Sequence, residues 1–169
     1  LNKLKLKNND SNYIIEGECL DASKIIDNIF NSDVTNLPIF QNLNPNINIK
    51  IKKTYIDELN YIENLSGNIN FNNNKINDLK LESSFSNGKK INLIVKTNGN
   101  FGTITKLFTD YPKPLIKRYD FIKGFEEGNL EFYSTKKGDV SNSVLVIDNF
   151  KVKKVPVFAK ILSLASLQG

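Results

Sequence analysis

The chain has 169 residues, a net charge of +5 and no histidine. Its 23 basic residues are all lysines except Arg118, and they are scattered along the chain rather than massed in one patch. Because arginine is the preferred residue for bidentate phosphate and base contacts, this composition argues against a nucleic-acid partner. The absence of histidine excludes the usual zinc sites and Ser-His or Cys-His catalysis, and the single Cys19 cannot form an intrachain disulfide. We therefore expect neither a metal nor a cofactor.

The length of the chain fits one domain, and we expect a single domain over residues 1–169. The chain begins with Leu1 rather than methionine and ends as a helical pattern finishes, which predicts a fragment of a longer protein. No apolar run approaches the roughly 20 residues that a membrane-spanning helix needs.

The first 45 residues predict two strands and a helix. Loose alternation over residues 1–20 indicates two strands separated by a polar turn at 8–12. Asp21 is a good helix N-cap, and the apolar stripe that follows predicts a helix over 22–30. Residues 32–45 contain Pro38 and Pro45 among many polar residues, so we expect a loop there.

From Asn46 onwards the apolar residues recur with a period of two. Runs at 47–51, 65–71, 79–85 and 91–95 alternate with polar residues, and turns are predicted at 72–75 and at 87–88. This pattern predicts an antiparallel β-meander with one apolar face and one lysine-bearing polar face.

The remaining chain predicts further helices and two closing strands. Ile104, Leu107 and Phe108 stand at helical spacing and predict a short helix over 103–111, and residues 115–122 suggest another helical turn. Strands are expected over 128–134 and 142–152, joined by a turn at 136–139. Pro156 then opens a predicted amphipathic helix over 156–167.

The predicted fold class is therefore β-rich α+β, an antiparallel meander with three short amphipathic helices at 22–30, 103–111 and 156–167. Either these helices cover the apolar face as an ordinary core, or the sheet curls into an open groove for an apolar ligand. The pattern alone favours the covered core. The last helix is expected to fold back over the apolar face through Phe158, Ile161, Leu162 and Ala165. The floor residues, which should share one side of the sheet, are Ile47, Ile49, Ile51, Ile69, Phe71, Leu79, Leu81, Ile91, Leu93, Val95, Leu130 and Phe132.

Several motifs carry a resemblance to a known family. Residues 128–130 match a G-x-L strand that follows a short helical segment, and Phe150, Val152 and Pro156 match a strand ending in F-x-V-x-x-x-P. Residues 159–169 match a helix of the form A-K/R-L-L-S-L-A-S-L-x-G, and GECLDASKII at 17–26 matches a strand followed by an L-D helix start. On these motifs the chain resembles the AsmA-like family of bacterial envelope proteins, most of all its YhdP-type branch, which is related to TamB-type and bridge-like lipid-transfer proteins.

The resemblance implies a function as well as a shape. Such proteins are long β-grooves, anchored in the inner membrane, that cross the periplasm and shelter phospholipid acyl chains on their way between the two membranes. It therefore favours the open groove, implies no enzymatic activity, and predicts phospholipid acyl chains and neighbouring segments of the same long chain as partners. Membrane contact and the anchor would lie outside this fragment. The alternative is a structural or chaperone-like scaffold in outer-membrane protein assembly, as implied by the TamB-type relatives.

Two carboxylate pairs are weak candidates for acid–base chemistry. Glu126 with Glu127, and Asp57 with Glu58, are neighbours in sequence. Adjacent carboxylates on a strand or turn point apart, so solvated charge is the simpler interpretation.

Overall fold

The computed structural model describes residues 3–9, 11–24, 44–73, 75–99, 102–118 and 123–152. The described strands form one open nine-stranded sheet in which neighbours in sequence are neighbours in space. The strands are β1 (Lys3–Asn9), β2 (Asn12–Asp21), β3 (Asn46–Tyr55), β4 (Tyr61–Asn72), β5 (Lys75–Ser84), β6 (Lys90–Asn98), β7 (Gly102–Thr109), β8 (Phe125–Lys137) and β9 (Val140–Val152).

The predicted meander from Asn46 onwards is confirmed, because every pair from β3 to β9 is antiparallel. β1 and β2 are also antiparallel, but β2 and β3 run parallel. A parallel pair needs a long crossover connection, and the chain between Asp21 and Asn46 is long enough to provide one. The predicted turn at 87–88 is confirmed as well: Gly88 has a φ of 78°, and its N–H donates to the Phe85 carbonyl at 2.9 Å.

The helix predicted over 103–111 is wrong, since this segment is strand β7. Leu107 pairs with Leu93 and Phe132 on the apolar face, whereas Ile104 and Phe108 point to the other face. Three apolar residues in so short a run fit a strand as well as a helix. The β-branched Thr103, Thr105 and Thr109, which alternate with them, favour the strand.

Ser23 and Lys24 are helical at the start of the segment predicted as a helix over 22–30, and the one complete helix among the described residues is α1 (Lys113–Arg118), which is not one of the three predicted. It lies where the sequence suggested no more than a further turn of helix. The helix expected over 22–30 falls largely outside the described residues, although Asp21 accepts a hydrogen bond from the Ser23 N–H at 3.0 Å, as an N-cap does. The predicted helix over 156–167, with Phe158, Ile161, Leu162 and Ala165, lies outside them entirely.

Two buried clusters pack on the apolar face at one end of the sheet, the end at which β3 connects to β4. Ile56, Ile62 and Phe85 form the first cluster. α1 builds the second, in which Ile116 is fully buried against Phe125 and Leu130. The side chain of Arg118 joins α1 to the rest of this end, because it donates hydrogen bonds to the carbonyls of Ile56 and, at 3.0 Å, of Ser23.

A break in the strand register brings the first cluster onto the apolar face. Asn64 has a positive φ of 54°, and the pairing of β4 with β5 shifts between Glu63 and Ser66. Such a bulge changes which residues of a strand point inward. As a result the side chain of Ile62 packs with Leu65, three positions further along β4. Thr54, which pairs with Ile62 on the neighbouring strand β3, is also buried.

Candidate functional site

One continuous row of apolar residues crosses the whole sheet. Each strand contributes one residue, each residue is paired with the next, and no member is charged or polar. We call this set the central row; from β1 to β9 it consists of Leu6, Ile15, Ile49, Gly67, Leu81, Leu93, Leu107, Phe132 and Leu145.

The central row is partly accessible to solvent, and the apolar residues on both sides of it are buried or half-buried. Leu6 and Leu145, at the two edges, are exposed, and the members between them are half-buried. Of the flanking side chains, Ile47, Ile51, Phe71, Leu79 and Leu130 are buried, whereas Leu65, Ile69, Ile91 and Val95 are half-buried like most of the row. The partly accessible apolar surface therefore includes the central row from edge to edge and extends to some of its neighbours.

The predicted floor residues lie on the apolar face as expected. Ile49, Leu81, Leu93 and Phe132 belong to the central row itself. Ile47, Ile69, Leu79 and Val95 are paired in a second row beside it, which Tyr13 extends onto β2. On the other side of the central row Ile51 pairs with Leu65, and Ile91 is linked through Thr109 to Leu130. Phe71 pairs with Ile76. Contact of these side chains with lipid remains a prediction.

Besides Gly67, which has no side chain, four members of the central row were missing from the predicted floor residues. Leu107 was assigned to a helix, and Leu145 lies in an uninterrupted apolar run that shows no alternation. Leu6 and Ile15 were recognised as strand residues. The alternation of Leu4 and Leu6 with lysines could have placed Leu6 on the floor, whereas Ile15 follows Ile14 in a run without alternation.

Gly67 leaves a gap in the middle of the central row. A Cβ atom at this position would lie 1.9 Å from the Lys80 carbonyl oxygen of β5. Only glycine therefore allows β4 and β5 to approach so closely here. Because glycine has no side chain, the apolar face is recessed at Gly67, between the side chains of Ile49 and Leu81.

The opposite face of the sheet is polar and ion-paired. Lys7 binds Glu16 at 2.7 Å, and Lys80 binds Glu82 at 2.7 Å. The hydrogen bond from Lys7, together with the charges of Lys50 and Lys5, lowers the pKa of Glu16. Asparagine side chains add a ladder across β2, β3 and β4, in which Asn46 contacts Asn12 at 3.2 Å and also Asn68.

An open depression of about 700 Å³ lies over β1 to β4. Most of the side chains around it belong to the polar face, for example Lys5, Glu16, Lys50 and Ser66, which are paired in one row. These charged residues can form ion pairs with one another, so this depression is a poor match for an apolar ligand. The apolar face is the better candidate.

The carboxylate pairs do not form an acid–base site. Glu126 lies 3.7 Å from Lys113, whereas Glu127 binds Lys151 at 2.8 Å, so the two carboxylates point to different partners. Asp57 stabilises the turn in which it lies, because its carboxylate accepts hydrogen bonds from the backbone N–H groups of Leu59 and Asn60. Within the described ranges there is no cluster of potential metal ligands, and no helix there is long and apolar enough to cross a bilayer.

Fold and site together define an open, single-sheet β protein with one accessible apolar face and one ion-paired polar face. No family model, no curated protein and no solved structure matches the chain. The resemblance to the AsmA-like family therefore remains a prediction from the sequence motifs.

Proposed function

We propose that the apolar face binds the acyl chains of phospholipids, and that the protein acts by binding rather than by catalysis. The central row is the observation that supports this proposal. An uncharged floor that stays accessible from edge to edge suits a long apolar ligand, and large uncovered apolar surfaces on proteins usually mark binding sites.

The dimensions of the central row suit an acyl chain. Nine strands spaced roughly 4.8 Å apart give a row about 38 Å long. An acyl chain fills half of the bilayer core, which is about 15 Å. The row therefore has room for a whole acyl chain lying across the strands, and each buried methylene contributes about 0.8 kcal/mol.

The wider role in the proposal follows the family resemblance. The chain is a segment of a groove protein that carries phospholipid between the inner and outer membranes through the periplasm. It works together with neighbouring segments of the same long chain, and a region outside this fragment provides the inner-membrane tether. Curling of the sheet into a groove belongs to this proposal as well.

Two variants of neighbouring residues on β6 test lipid binding. Leu93 belongs to the central row, and Asn92 points to the polar face; both are half-buried. Leu93→Glu and Asn92→Glu therefore add the same negative charge to opposite faces of one strand. We expect Leu93→Glu to weaken binding of a fluorescent phospholipid at least tenfold, or about 1.4 kcal/mol, and Asn92→Glu to leave it unchanged.

The wild-type protein, purified without detergent, should also carry phospholipid that solvent extraction and mass spectrometry detect. Circular dichroism and urea melts establish that each variant is folded, and Leu93→Asn replaces Leu93→Glu if the charged variant is not. The proposal is overturned if the folded variants at Leu93 and Asn92 bind phospholipid equally well. It is also overturned if the wild-type protein binds no phospholipid.

One observation favours the scaffold alternative. Among the described strands β9 forms an edge, and over residues 144–147 it is apolar on both faces, so a strand of another protein could add to it. In that case the protein should suppress aggregation of an unfolded outer-membrane β-barrel protein. Substitutions in β9 should abolish this effect, and Leu93→Glu should not.

A further inference from the structure

Over residues 140–147 the outer edge of β9 lacks the features that normally keep an edge strand from pairing, whereas Asp148 and Asn149, which has a φ of 53°, lie beyond this stretch. β9 has 13 residues and pairs only with β8 among the described strands. Between Val140 and Phe150 it contains no lysine and no proline. Val144 and Val146, on the polar face, are 57% and 40% exposed, and Leu145, on the apolar face, is 44% exposed. A long exposed edge that is apolar on both faces is a template for another strand.

The other edge of the sheet is protected. β1 carries Lys3, Lys5 and Lys7 in alternation with leucines, and lysine is the usual residue that prevents edge-to-edge pairing. The two edges therefore differ in kind, which argues against a head-to-tail assembly of β9 with β1 of another copy.

We infer that β9 pairs antiparallel with β9 of a second copy of this chain, with Leu145 on the two-fold axis. This register places Val144 opposite Val146 and Asp148 opposite Asn142 of the second copy. Like charges do not meet, and the two exposed valines of the polar face cover each other. An axis at Val146 would instead place Asp148 opposite Val144.

The same register makes the central row continuous through the dimer. A two-fold axis perpendicular to the sheet keeps both apolar faces on the same side, and Leu145 of one copy then lies beside Leu145 of the other. The interface is self-complementary, so assembly stops at two copies. The inference does not depend on lipid binding, because it rests on the edge of the sheet and not on its floor.

The first test measures the mass of the 169-residue chain by light scattering over a range of concentrations. We expect a dimer of twice the 19.2 kDa chain mass. The double variant Val144→Lys/Val146→Lys supplies β9 with the charges that protect β1, and its dimer dissociation constant should rise at least tenfold. The control Asn8→Lys/Ser11→Lys adds the same charge at the opposite edge and should dimerise as the wild type does.

The second test determines the register by disulfide formation in a Cys19→Ser background. Directly opposite residues of antiparallel strands have Cα atoms about 4.5–5.5 Å apart, which is within the range of a disulfide. Leu145→Cys should therefore form a covalent dimer under oxidation, and Ile147→Cys, which lies opposite Ser143 of the second copy, should not.

Three results would overturn the inference. They are a wild type that stays monomeric at every concentration, a dimer that survives the two lysines in β9, and a series of larger oligomers that indicates head-to-tail assembly. If Ile147→Cys crosslinks and Leu145→Cys does not, the proposed axis is wrong.

Discussion

Two buried threonines on the apolar face differ in whether their hydroxyl has a partner. The Thr109 hydroxyl donates to the Lys90 carbonyl at 2.9 Å and accepts from the Tyr111 N–H at 3.1 Å. Thr54 is equally buried, but among the described residues its hydroxyl is the buried side-chain group without a hydrogen-bond partner. An unpaired buried hydroxyl costs free energy that a methyl group does not.

We therefore expect opposite effects from the same substitution at these two positions. Thr54→Val should raise the free energy of unfolding by about 1 kcal/mol, and Thr109→Val should lower it by about 1–3 kcal/mol. Urea melts of both variants beside the wild type measure the difference. If both variants shift stability in the same direction, the assignment of partners to the two hydroxyls is wrong.

Asp57 gives the stability of the protein a pH dependence. Burial alone would raise the pKa of Asp57, but hydrogen bonds from Asn60 and Leu59 and the charge of Arg118 outweigh it, so the pKa is lowered. A carboxylate with a lowered pKa in the folded state stabilises the protein above its unfolded pKa of about 3.9. This stabilisation is lost as the pH falls through the folded pKa.

Asp57→Asn should accordingly destabilise the protein by roughly 1–2 kcal/mol at pH 7, and the difference from wild type should narrow below about pH 4. Urea melts at pH 7 and at several acidic values measure it. Glu58→Gln is the control, since Glu58 is exposed in the same turn, and it should change little at any pH. A difference for Asp57→Asn that stays constant down to pH 2 would contradict the role of its charge.

At the scale of elements, the short helix α1 buries Pro114 and Ile116, and Ile116 joins it to the apolar cluster of β8. Ile116 is 0% exposed and contacts the cluster of Phe125 and Leu130. Ile116→Ala should lower the free energy of unfolding by about 2–5 kcal/mol, because it leaves a cavity between α1 and β8. Lys117→Ala, the exposed neighbour in the same helix, should have an effect within about 0.5 kcal/mol. If both substitutions cost the same in urea melts, α1 is not docked on β8.

At the scale of the whole molecule, an open sheet has two faces and two edges, and here one face and one edge carry most of the charged side chains. The polar face carries ion pairs such as Lys52–Glu18 at 2.9 Å beside a few exposed apolar side chains such as Phe108, and the β1 edge carries lysines. The central row and the β9 edge have no such protection. Both proposals concern these two apolar boundaries: a lipid on the floor and a second copy at the edge.

The two proposals can fail separately. Charge at Leu93 changes the floor far from the β9 edge, and lysines at Val144 and Val146 change the edge on the polar side of the sheet. A protein that binds phospholipid as a monomer would support the first proposal and overturn the second. A dimer that binds no phospholipid would support the second proposal and overturn the first.

The sequence by itself determined the features that depend on neighbouring residues. The alternation of Ile47, Ile49 and Ile51 with polar residues predicted which side of β3 is apolar, and Asn87–Gly88 predicted the turn between β5 and β6. Asp21 predicted a helix N-cap. Backbone geometry and side-chain periodicity are local properties, so a single sequence is enough to predict them.

Only the tertiary structure decided what depends on distant partners. The spacing of the apolar residues in 103–111 fits a helix as well as a strand, and pairing with β6 and β8 selects the strand. The parallel pairing of β2 with β3 and the docking of Ile116 on β8 are likewise contacts between distant segments. Most of all, the central row exists only because eight separate strand registers bring nine residues into line. Turn geometry fixes the register within a single hairpin, but strand order and pairing across long connections depend on non-local hydrogen bonds, which no local pattern in the sequence specifies.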